Sequence, residues 1–94
     1  MFDDIDFSPG IVAYNGTKFL DQEDIFQVRY NDDINIIIDV GWYRRHFKVV
    51  VIKDYDWEKP LIEKRCVESD KLHALVQECS EYVKKYLGNV KKSD

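Results

Sequence analysis

Nucleophilic catalysis needs a Cys or Ser within hydrogen-bond reach of a base, with a third group holding that base in place. In this sequence the obvious material is Cys66 together with His46 and His73. Cys79 falls on the apolar stripe of an expected helix, where a thiol acts as a small hydrophobe. No motif ties Cys66 to either histidine, so no catalytic residue is assigned and the chain reads as a non-enzyme. Zinc would need convergent ligands, and neither Cys-x-x-Cys nor His-x-x-x-His spacing occurs. Asp32-Asp33 lacks the alternating ligands and the glycine of a calcium loop and reads as a solvated turn. Gly10, Gly16, Gly41 and Gly88 are too scattered to cradle a phosphate. No metal and no cofactor is expected.

One cluster stands above this background. Asp54-Tyr55-Asp56-Trp57-Glu58 alternates carboxylates with large aromatics in an expected loop, and aromatic side chains anchor protein interfaces more often than most. Asp39 and the pair Trp42-Tyr43 carry similar chemistry and lie near that loop in the expected hairpin order. These eight residues are the candidate partner-binding set. The rival reading folds Trp57 back onto the core and leaves the acids to solvate a turn. Arg44-Arg45-His46 is a basic spot that reads as a solvated turn rather than a phosphate site.

Charge points the same way. Residues 1 to 40 hold nine acids against Lys18 and Arg29, while the remainder holds twelve bases and nine acids. An acidic half repels nucleic acid and attracts basic surfaces, so direct DNA or RNA binding is disfavoured. No apolar run approaches the roughly 20 residues that span a bilayer, and the acidic start Met1-Phe2-Asp3-Asp4 is unlike a secretory signal. The expected location is the cytoplasm, with Cys66 and Cys79 both reduced.

The elements that must position these residues follow from periodicity. At 94 residues the chain has room for one core, hence one domain. Residues 1–9 read as an irregular arm ending at the turn Pro9-Gly10, and Ile11 to Tyr14 as a short strand ending at Asn15-Gly16. Residues 17–24 fit either a helical turn or a lead into the next strand. Ile25 to Tyr30 is strand-like, and Asn31-Asp32-Asp33 suits a reversal. Ile34, Ile36, Ile38, Val40 and Trp42 then recur at period two, with Asn35, Ile37, Asp39, Gly41 and Tyr43 on a mixed face. Gly41 in that strand signals a bulge or a close backbone approach. After a turn at Arg44-Arg45, Phe47, Val49 and Val51 alternate with Lys48, Val50 and Ile52 in a central strand. The loop 54–60 follows, and the charged stretch Leu61 to Val67 fits an edge strand. A helix is expected over 69–87, with Ser69 as N-cap, Gly88 as stop, and Leu72, Leu75, Val76, Cys79, Val83, Tyr86 and Leu87 as its apolar stripe. Residues 89–94 would fray. The fold class is therefore α+β: a mainly antiparallel sheet of four or five strands with a C-terminal amphipathic helix on one face.

Asp39-Val40-Gly41-Trp42-Tyr43, with Phe47 to Asp54 and Asp56-Trp57-Glu58-Lys59-Pro60-Leu61, resembles small bacterial immunity proteins, including those of contact-dependent growth inhibition systems. The resemblance spans roughly residues 34 to 87. It implies that the partner is the C-terminal domain of a cognate toxin, commonly a nuclease, blocked by stoichiometric binding. The basic C-terminal half departs from a uniformly acidic inhibitor. A small cytoplasmic adaptor, homodimeric through a charged edge strand, is the alternative.

Overall fold

The computed structural model describes residues 1–31 and 35–92. Five strands, β1 (Ile11–Asn15), β2 (Phe26–Asn31), β3 (Asn35–Tyr43), β4 (His46–Lys53) and β5 (Ile62–Cys66), precede one helix, α1 (Leu72–Lys92). The strands form an antiparallel meander in sequence order. This is the α+β architecture expected, with the sheet at five strands. The reversal expected at Asn31-Asp32-Asp33 and the first residue of its following strand, Ile34, fall partly or wholly outside the described residues.

The period-two pattern of β3 and β4 decides which way each side chain points. Ile36, Ile38, Val40, Val49 and Val51 turn to one face and join Leu72, Val76, Cys79, Val83 and Leu87 of α1 in a single buried cluster. Ile37, Val50 and Ile52 form a smaller cluster on the opposite face. In register they sit between Arg29 of β2 and Glu63 of β5. That face carries no helix among the described residues, so it is called the open face below. The arm 1–9 has no regular structure, yet Phe2 and Phe7 are buried with ring centroids 4.7 and 5.5 Å from Phe26. Offset aromatic packing of this kind adds to area burial, which is why an acidic segment stays on the core.

Three local expectations are corrected. Ser69 does not cap α1: Glu68 flanks a single 3₁₀ turn, Ser69–Lys71, without a side-chain cap, and α1 begins at Leu72. Gly88 does not end the helix, which continues through Lys92, and the last two residues of the tail expected over 89–94 lie outside the described residues. Gly88 keeps a negative φ, so the left-handed conformation of a terminating glycine is absent and the backbone ladder continues. Leu75 is half-buried rather than central to the stripe, whereas Leu72 is fully buried.

Two tight turns use non-glycine residues in left-handed conformations. Arg44 and Arg45 (φ 49° and 71°) join β3 to β4, and Asp54 and Tyr55 (φ 54° and 62°) follow β4. Paired positive φ values give the turn whose twist matches a hairpin. Asn15 closes β1 by accepting hydrogen bonds from the Thr17 amide and hydroxyl, and the segment 16–25 then crosses to β2 without helix or strand.

Candidate protein-binding surfaces

The eight residues singled out in the sequence do not meet at one place. Asp54 to Glu58 lie beyond the end of β4, whereas Trp42 and Tyr43 lie at the opposite end of the β3–β4 hairpin, paired with Phe47 and His46. The six steps from Phe47 to Lys53 correspond to about 20 Å at about 3.4 Å per residue. The nearness expected from hairpin order is thus wrong, because an antiparallel hairpin puts residues just before its turn far from those leaving its second strand. Trp42 and Tyr43 also diverge, since neighbouring residues of a strand face opposite sides.

At the first end, all five residues of Asp54-Tyr55-Asp56-Trp57-Glu58 are exposed. Trp57 is 50% exposed and Tyr55 54%, so neither ring is folded into the core. The Asp56 Oδ1 accepts the Lys59 amide at 3.3 Å, and the Asp56 amide donates to the Lys53 carbonyl at 3.1 Å. These bonds shape a tight tip. Among the described residues none of the three carboxylates forms an ion pair.

On the open face, Tyr14, Gln27, Asp39, Val50 and Glu63 stand in one row across all five strands. Asp39 is only 8% exposed. Its Oδ1 accepts from the Gln27 amide nitrogen at 3.2 Å, and Gln27 Oε1 accepts from Arg29 Nε at 2.8 Å. Burial pushes the Asp39 carboxyl above its ordinary range; the Gln27 bond opposes this and the nearby Asp24 charge adds to it. Burial likewise raises the Tyr43 phenol, helped by Asp39, Asp24 and Glu23, while the Lys48 ammonium lies 4.9 Å from the Tyr43 ring centre.

Trp42 faces the helix side, its ring 4.7 Å from Phe47. With Phe47, Phe19, Leu20 and Val67 it lines an open cleft of about 470 Å³, with Lys18 and Asp21 also on its walls. Sequence reasoning did not find this cleft. Its signal was the apolar pair Phe19-Leu20 beside Asp21, Glu23 and Asp24, in the stretch whose structure the periodicity left open.

Burial raises the Cys79 thiol to about 11 and raises Cys66 as well, so both are protonated at neutral pH. Among the described residues, no group of three or more His, Cys, Asp or Glu side chains is placed to hold a metal ion, and no helix is long and apolar enough to cross a membrane. Compared with known proteins, the chain matches no family model, no curated protein and no solved structure.

Proposed function

We propose that this chain is an immunity-type inhibitor that acts in the cytoplasm by stoichiometric binding to a toxin domain with a basic active-site cleft, such as a nuclease. The observation that carries the reading is the tip at residues 54–58, where two half-exposed aromatics stand among three carboxylates. A fold does not spend a Trp and a Tyr on solvent without cost, since exposed aromatics are an association hazard. Against a basic groove the same residues supply desolvated contact area, and the carboxylates supply attraction that speeds encounter.

The test uses the C-terminal domain of the toxin-like protein encoded beside this gene, with binding kinetics for wild type, Asp54→Asn, Asp56→Asn and Trp57→Ala. Charge removal should slow association and flatten its salt dependence. Loss of Trp57 should speed dissociation on the order of 30-fold, equivalent to about 2 kcal/mol. Folded variants that bind and protect like wild type would remove the tip from the interface. A wild type that does not bind the neighbour would remove the immunity reading for that pair.

A self-associating adaptor is favoured by one observation: every residue of edge strand β1 is exposed and none is charged, whereas β5 carries Glu63, Lys64 and Arg65. An uncharged edge invites pairing. Light scattering across a hundredfold concentration range separates a dimer from a monomer.

A further inference from the structure

At the end of the sheet opposite the 54–58 tip, the cleft is open to solvent and exposes an apolar patch bordered by Lys18, Asp21 and Ser69. Phe19 and Val67 stand on its rims, 66% and 69% exposed, over a floor that includes Trp42 and Phe47. Neither rim residue can be explained by core packing, because both show most of their surface to water.

The surroundings say what would cover this patch. Asp21 belongs both to the cleft wall and to an adjoining hollow of about 470 Å³ formed by Tyr14, Asp21, Gln22, Glu23 and Asp24. Among the described residues Asp21, Glu23 and Asp24 form no ion pair. Lys18 and Asp21 both line the cleft, whereas the hollow has three carboxylates and no cation, so the local potential is more negative on the hollow side. The hollow is held against the sheet by main-chain bonds from the Ile25 amide to the Val40 carbonyl (2.9 Å) and from the Trp42 amide to the Gln22 carbonyl (3.0 Å). The two depressions therefore have a fixed relation, in which an apolar slot adjoins an anionic one.

We propose that this end binds an extended segment of a basic protein, seating a Leu or Phe side chain between Phe19, Trp42 and Val67 and adjacent Lys or Arg side chains against Asp21, Glu23 and Asp24. Tyr14, half-exposed, lines the same hollow, where an aromatic ring adds to the attraction for a cation. The segment runs with its cations on the hollow side, since the potential is more negative there. The site stands whether or not the 54–58 tip binds a toxin.

The chain's two tryptophans, Trp42 and Trp57, lie at the two ends and report on them separately. The full chain, labelled with ¹⁵N, is titrated with a capped hexapeptide Leu-Phe-Gly-Arg-Lys-Arg while both indole N–H resonances are followed. The expected result is saturable movement of the Trp42 indole and of the Phe19 to Asp24 amides, with the Trp57 indole still. Phe19→Ser and Val67→Ser, both at exposed rims and so compatible with the fold, should each weaken binding about tenfold. Asp21→Asn should weaken it about threefold at low salt and less at high salt. A peptide with Ala-Ala in place of Leu-Phe that binds equally well would reduce the site to charge attraction and overturn the proposal. So would an immobile Trp42 indole, or peptide shifts confined to Trp57 and its loop.

Discussion

Gly41 is where the fold and the acidic surface depend on one hydrogen atom. A Cβ at this position would lie 2.1 Å from the Glu23 carbonyl oxygen and 2.6 Å from the Tyr43 ring. The ring can swing away, but the carbonyl belongs to main chain held on both sides, by the Ile25 amide on the Val40 carbonyl and the Trp42 amide on the Gln22 carbonyl. Bringing the contact to an ordinary separation of about 3.4 Å requires the segment to move more than 1 Å, which forfeits one or both bonds. Each is worth about 0.5–1.5 kcal/mol net, and overpacking at a tight site adds about 1–3 kcal/mol. Gly41→Ala should therefore cost about 1.5–6 kcal/mol and lower the melting temperature by about 4–8 °C for each kcal/mol lost. Gly88→Ala is the matched control. Nothing lies within 4 Å of its Cβ position and its φ is negative, so replacing a helical glycine should stabilise by about 0.5–1 kcal/mol. Urea unfolding of both variants, with amide spectra of residues 21–24, provides the measurement. A Gly41→Ala protein as stable as wild type would refute the close approach. A destabilised Gly88→Ala would mean that Gly88 terminates the helix after all.

Leu72 is fully buried and Leu75 only half, so Leu72→Ala should cost about 2–5 kcal/mol and Leu75→Ala clearly less; equal losses in urea would contradict that orientation of α1. The Asp39 carboxyl has its pKa raised by burial, so the folded state holds this proton more tightly than the unfolded chain. Stability from this group is present at low pH and is lost as pH rises from the ordinary carboxyl range through the folded pKa. Asp39→Asn, which keeps an oxygen for Gln27, should remove that decline and leave the protein at least as stable at neutral pH; a steeper decline in pH-dependent melts would reverse the sign. The Tyr30 hydroxyl is buried without a hydrogen-bond partner among the described residues, and burial pushes its pKa to about 12, with the Asp6 charge adding to the rise. Tyr30→Phe should gain about 1 kcal/mol, and a comparable loss would reveal a partner for the hydroxyl.

Periodicity alone determined most of the fold. Alternation in β3 and β4 needs only the two-residue repeat of an extended chain, and the stripe from Leu72 to Leu87 needs only the helical repeat. The edge position of β5 was legible because Glu63, Lys64 and Arg65 suit a strand with one side in water. Gly41 was legible as either a bulge or a close backbone approach, and the tertiary structure decides for the approach, by the Glu23 carbonyl. The helix ends were misread because Ser69 and Gly88 are competent signals whose use depends on the backbone around them, and there the extended Glu68 and an uninterrupted ladder prevailed. The candidate surfaces depended most on tertiary structure. Trp42 and Asp54 are close in sequence and lie at opposite ends, while Phe19 and Val67 are 48 positions apart and line one cleft. Sequence separation measures distance only along one strand. Where strands reverse, register decides which residues meet, and register is set by burial of whole faces at once.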